Sequence, residues 1–184
     1  MKKMFLTFDG APNSQGTPKI LEILNKYQIQ GTFFLEGKRL ESNQQLAQEI
    51  IKAGHSIGNH SYSHTEFDKL ELAECLAEVE NTDNLIRNIL GIKTRLIRPP
   101  AGKITEIEQK YLEKLGYIIS LWNISIKDWL GPDAASIAAR LVKELGKDEI
   151  ISVMHDHVEW IPEVLDISIP YIKANGYEFL PMKM

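Results

Sequence analysis

The amino-acid sequence predicts an α/β fold built on a largely parallel β-sheet. Short apolar segments typical of strands alternate with longer amphipathic segments typical of helices along the whole chain. The 184 residues are enough to bury a hydrophobic core, and 43% of them are hydrophobic, as in ordinary globular domains. This alternation alone does not separate an open doubly wound sheet from a closed barrel.

Seven runs are predicted to be strands, and they are Met4–Phe8, Thr32–Leu35, His55–Gly58, Arg95–Ile97, Tyr117–Trp122, Ile150–Met154 and Tyr177–Leu180. Helical patterns fill the intervals, at about 18–28, 39–53, 69–90, 105–115, 133–145 and 158–174. The pair Thr17-Pro18 opens the first of them, because proline is favoured in the first helical turn. No linker or repeat interrupts the sequence, so we expect a single domain over residues 1–184.

Composition narrows the classes of partner. The net charge of −4 gives no basic field for nucleic acid or an anionic membrane surface, so neither is expected as a partner. The lone Cys75 excludes an internal disulfide. The first residues lack the apolar stretch of a signal peptide, so the compartment stays open: cytoplasmic, or exported if a signal lies upstream. The oligomeric state is open as well.

Side chains suited to acid–base chemistry or metal binding follow five of the predicted strands. They are Asp9, the pair His60 and His64, Arg98, Asp128 and His155. Because the carboxyl ends of parallel strands form the face on which α/β active sites assemble, we expect these groups to meet at one rim.

Two histidines, His60 and His64, are four residues apart. On a helical turn this spacing places both imidazoles on one side, where they would share a divalent ion. Zinc suits imidazole ligands, although other transition metals compete according to availability. The alternative is a pair of exposed or capping histidines without a metal.

Three further segments carry candidate functional groups. The stiff turn Arg98-Pro99-Pro100-Ala101-Gly102 places an arginine at a strand end, where it would orient the Asp9 carboxylate or serve as a structural ion pair. His155 suits a general acid, and the alternative is a buried, hydrogen-bonded histidine. Trp129 is either the wall of a small apolar pocket or an ordinary core residue.

These segments together resemble the five ordered motifs of the polysaccharide deacetylase family. The matching segments are Leu6–Asn13 (LTFDGAPN), His60 with His64, Arg98–Gly102 (RPPAG), Asp128-Trp129 and Val153–Asp156 (VMHD), supported by Gly31–Leu35 and Gly54–His60. The resemblance covers nearly the whole chain. It implies a distorted (β/α)7 barrel that hydrolyses N-acetyl groups on amino-sugar glycans of the chitin or peptidoglycan type, as part of cell-wall or carbohydrate metabolism.

The resemblance also implies a role for each matching residue. Asp9 would be the general base, Arg98 would orient Asp9, His155 would protonate the leaving amine, and Asp128 would orient His155. His60 and His64 would hold the metal, most simply zinc. A backbone N–H near Ala101 would help to bind the oxyanion, and Trp129 would line the substrate pocket.

The first motif departs from the family pattern at Gly10, where an aspartate that ligates the metal is expected. Three outcomes follow: weaker metal binding with water in the empty position, movement of Asp9 into the metal shell, or a metal-free glycan-binding protein without catalysis. We expect weak metal binding and low or altered hydrolase activity. A further alternative keeps the enzyme but changes the substrate to a small amide or a cyclic ureide.

Overall fold

The computed structural model describes residues 2–183, and the two ends of the predicted domain, Met1 and Met184, lie outside this range. The strands within it are β1 (Lys2–Ala11), β2 (Thr32–Leu35), β3 (Ser56–Asn59), β4 (Leu96–Ile97), β5 (Ile118–Ile119), β6 (Ile124–Ser125), β7 (Glu149–His155) and β8 (Tyr177–Phe179). The helices are α1 (Thr17–Lys26), α2 (Gly37–Ser42), α3 (Gln44–Lys52), α4 (Leu72–Leu90), α5 (Glu106–Lys114), α6 (Ala134–Lys143) and α7 (Ile161–Ala174). No helix of residues 2–183 has the length and apolarity needed to cross a bilayer.

All the strand pairs are parallel, as the alternation of strands and helices predicts. The strands lie in the order β5-β4-β3-β2-β1-β7-β6, with β1 near the middle. The short β8 pairs with residues 2–4 of β1. Further along the same edge of β1, from Thr7 onward, the partner strand is β2. Every crossover therefore returns the chain in the same direction, and the carboxyl ends of the strands gather on one face.

The alternation of side chains in β1 supplies both a core and a polar interior. Met4, Leu6 and Phe8 are fully buried in the main hydrophobic cluster. Thr7 and Asp9 project from the opposite face, since successive side chains in a strand alternate. Both are also buried, at 0% and 3% exposure, so this second face must satisfy its polar groups internally.

Two predicted elements are each divided in the structure. The predicted strand 117–122 is replaced by β5 and β6, with Trp122 between them. The predicted helix 39–53 is replaced by α2 and α3, because Asn43 leaves the helical region (φ −134°, ψ 43°) and its side-chain amide donates to the Arg39 carbonyl at 2.9 Å. An asparagine that satisfies a helix carbonyl in this way ends the helix.

Candidate active site

The rim at the carboxyl ends of the strands collects the predicted site residues. Asp9 lies in β1, His60 directly follows β3, Arg98 directly follows β4, Asp128 comes shortly after β6, and His155 ends β7. A cavity of about 350 Å³ is lined by Asp9, His60, His64, Ala101, Trp122, Ser125, Trp129, Val153 and His155. Six of the eight predicted residues therefore line this cavity. Arg98 and Asp128 do not line it, but they contact Asp9 and His155, which do.

Arg98 forms a buried hydrogen-bond network with Asp9. The Arg98 side chain is fully buried, and its Nη1 donates to Asp9 Oδ1 at 2.8 Å and to Thr7 Oγ1 at 2.6 Å. Its Nε donates to the Ser120 carbonyl at 2.8 Å, and the guanidinium carbon lies 4.0 Å from the centre of the Phe34 ring. This fork of donors fixes the orientation of the Asp9 carboxylate.

His60 is held as a neutral imidazole. Its Nδ1 lies 2.7 Å from the Arg98 carbonyl oxygen, which can only accept, so Nδ1 carries the proton. Burial lowers the pKa of His60 to about 4, and the nearby Asp9 carboxylate offsets only part of this effect. The lone pair of Nε2 is therefore free, and Nε2 lies 3.8 Å from Asp9 Oδ2.

The predicted helical turn between His60 and His64 is wrong, although the two rings do meet. Residues 60–66 are not helical, and Ser61 and His64 both have positive φ angles, of 66° and 62°. The His64 N–H donates to Ser61 Oγ at 3.0 Å, which closes the turn. The ring centroids are 5.0 Å apart, with His60 buried and His64 exposed.

These residues fit a divalent ion only as a two-imidazole site. His60 presents a free Nε2 lone pair beside His64, which is the neutral form that a metal requires. Gly10 provides no side-chain donor, and within residues 2–183 no group of three or more histidine, cysteine or acidic side chains could hold a metal ion. The donor set is therefore one carboxylate short of the usual three protein ligands of a catalytic zinc.

His155 and Asp128 form the second polar pair of the rim. Asp128 Oδ1 lies 3.0 Å from His155 Nδ1, and its Oδ2 accepts the His155 backbone N–H at 2.7 Å. Burial lowers the pKa of His155, but the hydrogen bond and negative charge of Asp128, together with the carboxylates of Asp9 and Asp156, raise it by more, so the net shift is upward. Because Nδ1 of His155 is hydrogen-bonded to Asp128, the other ring nitrogen, Nε2, is available to a ligand.

Trp129 and Ala101 lie at the mouth of the cavity. Trp129 is 55% exposed and meets the His155 ring edge-to-face at 5.3 Å, so it is an exposed wall rather than a core residue. Ala101 is also exposed and has a left-handed backbone (φ 53°) within the turn that follows β4.

Several residues at the rim were not singled out from the sequence. Thr7 and Ser120 hold Arg98, and Glu36 and Arg39 line a second part of the cleft beside Gly10. Glu36 directly follows β2 and Arg39 lies in the first turn of α2, so the same rule on strand ends would have pointed to this segment. Thr7 and Ser120 carry no such signal, because a hydroxyl inside an apolar run is ordinary.

Comparisons with known proteins identify the family to which the chain belongs. A family model for polysaccharide deacetylases matches residues 1–119, and the chain belongs to that family. A peptidoglycan-N-acetylglucosamine deacetylase of Bacillus cereus is 31% identical over 180 residues, which cover 96% of this chain and 66% of the relative. A peptidoglycan-N-acetylmuramic acid deacetylase of Bacillus subtilis is 30% identical over 97% of this chain and 38% of its own length. The chain thus spans only part of each relative.

Solved structures show the same fold. A crystal structure of a peptidoglycan N-acetylglucosamine deacetylase matches with a TM-score of 0.94 and 29% identity, over 98% of this chain and 86% of that one. A CE4-family pseudoenzyme from Bacillus anthracis matches with a TM-score of 0.91 and 29% identity, over 97% and 63%. A mutant of that pseudoenzyme has restored enzymatic activity. The predicted family and (β/α)7 barrel are confirmed.

Proposed function

We propose that this chain hydrolyses the N-acetyl groups of amino sugars in a peptidoglycan- or chitin-type glycan, at a rate limited by Gly10. The observation that carries the proposal is that Asp9 and His155 line the same cavity. Arg98 orients Asp9 and Asp128 orients His155, and both partners are buried. Two groups with opposite proton-transfer roles on one cavity are what amide hydrolysis requires. The similarity to peptidoglycan deacetylases supports the glycan class.

The roles of the residues follow from their contacts. Asp9, with one oxygen bonded to Arg98, accepts a proton from the attacking water, whose oxygen bonds to the acetyl carbon. His155, protonated and held by Asp128, donates its proton to the departing nitrogen as the carbon–nitrogen bond breaks. The products are acetate and a free amine, and the elements of one water are consumed.

His60 and His64 are the residues that would hold a divalent ion, and zinc suits their imidazoles. Such an ion, when bound, polarises the acetyl carbonyl and makes the attacking water more acidic. Because Gly10 removes one anionic ligand, we propose that the ion binds weakly.

A second function, glycan binding without turnover, is favoured by the same glycine. This chain lacks the third ligand at Gly10 but has the cavity and the exposed Trp129 with which it would bind a glycan. The similarity to a CE4-family pseudoenzyme supports this second function.

Acetate release separates the two functions. The purified protein is incubated with acetylated glucosamine oligomers and with acetylated peptidoglycan, alone, with zinc or cobalt, and with a chelator. Release that rises with metal and falls with chelator supports the hydrolase. Binding of the oligomer without acetate release, from a folded sample under all these conditions, supports the binding protein and overturns the enzyme.

A further inference from the structure

Gly10 lies at a bulge where its missing side chain would point toward a positive charge. Asp9 pairs with Phe34 and Ala11 pairs with Leu35, so Gly10 is the extra residue of β1, with φ of +80°. A Cβ atom at this position would lie 3.8 Å from Cζ and Nη1 of Arg39 and also 3.8 Å from Nδ1 of His157. A carboxylate attached to that Cβ would therefore reach ion-pair distance of the guanidinium.

Arg39 is held at this place by acidic groups and faces the cleft. Its Nε lies 3.1 Å from Glu36 Oε2, and its Nη1 lies 4.0 Å from Asp156 Oδ1. The side chain is 32% exposed and lines a cavity of about 450 Å³ together with Gly10, His64 and His155. A fixed guanidinium thus shares a cavity with one of the two histidines expected to bind a metal.

We propose that Arg39 sets the charge preference of this cleft and weakens the binding of a divalent cation by His60 and His64. Its guanidinium borders the space into which a carboxylate at position 10 would project. The inference rests on the assignment of these histidines under the proposed function. Loss of the carboxylate and presence of the guanidinium act in the same direction, since one removes an attraction for the cation and the other adds a repulsion.

Zinc affinity, measured by calorimetry and by competition with a fluorescent chelator, tests this directly. Arg39→Gln removes the positive charge, and we expect zinc to bind about tenfold more tightly. Lys38→Gln is the matched control, because Lys38 is the exposed neighbour whose Nζ lies over the Tyr62 ring, and it should leave the affinity unchanged. Equal effects of the two variants would overturn the proposal.

Loss of Arg39 also frees the Glu36 carboxylate, which is itself a possible ligand. The double variant Glu36→Gln/Arg39→Gln removes both groups. Retention of the gain in zinc affinity assigns the effect to the guanidinium, whereas loss of the gain would assign it to Glu36 and overturn the proposal.

A double-mutant cycle on positions 10 and 39 tests whether the two residues are coupled in their effect on zinc affinity. Gly10→Asp alone should gain little zinc affinity, because the new carboxylate pairs with Arg39. In Gly10→Asp/Arg39→Gln we expect affinity about tenfold beyond the product of the single effects. Gly10→Asn controls for the positive φ, which asparagine and aspartate both tolerate, and circular dichroism checks that each variant folds.

If the effect of the double variant on zinc affinity equals the product of the two single effects, the coupling is contradicted. Cobalt absorption spectra show whether the new carboxylate enters the coordination sphere. Acetate release is not needed for any of these measurements. Acetate release without an Arg39 effect on zinc therefore refutes only this inference, and an Arg39 effect without acetate release refutes only the hydrolase.

Discussion

Arg98 Nη1 donates a 2.8 Å hydrogen bond to Asp9 Oδ1, with both side chains almost completely withdrawn from solvent. Their residues are 89 apart in the chain, on β1 and directly after β4. The same nitrogen also donates to Thr7, so the guanidinium holds together two residues of β1 that project from one face. The pair therefore links the stability of the barrel to the geometry of its candidate base.

Replacing Arg98 by methionine should lower the free energy of unfolding by about 3–5 kcal/mol, because it leaves the Asp9 carboxylate buried without a partner. Arg98→Lys retains the charge but not the fork, so it should recover only part of this loss. Urea unfolding followed by circular dichroism measures both. The control Arg95→Met, at an exposed position on the same segment, should change stability by less than about 0.5 kcal/mol. A loss below about 1 kcal/mol in Arg98→Met would contradict the buried network.

Asp128→Asn should lower the pKa of His155, because it removes a hydrogen bond and a negative charge that both raise this pKa against the effect of burial. Titration of the His155 ring by NMR measures this shift. The buried His55, whose pKa burial lowers to about 4, precedes β3 at the opposite end of the barrel and serves as an internal control. An unchanged His155 titration would argue against Asp128 as its positioning partner.

The same pair predicts a pH dependence of stability. A histidine whose folded pKa is raised contributes stability that is fully present below its unfolded pKa and is lost as the pH rises through the folded value. The destabilisation caused by Asp128→Asn should therefore be larger at pH 5.5 than at pH 8. Unfolding curves at these two pH values test this, and a loss that grows with pH would contradict the upward shift.

Asp156 predicts a second loss of stability with rising pH, which is the reverse of the behaviour of an ordinary ion-paired carboxylate. It is fully buried, and burial raises its pKa from 3.8 to about 6, so the folded chain retains a proton that the unfolded chain has released. Stability should fall by about 3 kcal/mol as the pH rises from about 4 to about 6. Asp156→Asn should remove this decline, since its amide oxygen can still accept from Thr17 and Asn13.

Asp166→Asn is the matched control for that experiment. The hydrogen bond from Lys26 lowers the pKa of Asp166, so its contribution is present above the unfolded pKa and is lost as the pH falls. The two variants should therefore differ from the wild type with opposite dependence on pH. A parallel dependence in both variants would refute the role assigned to burial at Asp156.

Trp129→Ala should weaken the binding of an acetylated glucosamine oligomer about fivefold while leaving stability nearly unchanged, because the indole is 55% exposed beside His155. Calorimetric titration with the oligomer measures the affinity. Leu130→Ala, at a neighbour that is 62% exposed and outside the cavity lining, is the control and should bind normally. Equal losses in the two variants would remove Trp129 from the substrate surface.

The sequence determined the family, the parallel barrel and the rim on which Asp9, His60, Arg98 and His155 meet, because strand–helix alternation and strand ends are local properties. Only the tertiary structure decided that His60 and His64 meet through a left-handed turn rather than a helix. It also decided that Thr7 and Ser120 hold Arg98, and that Arg39 faces Gly10. These contacts join segments distant in the chain, and their geometry depends on backbone angles and packing that no local pattern encodes.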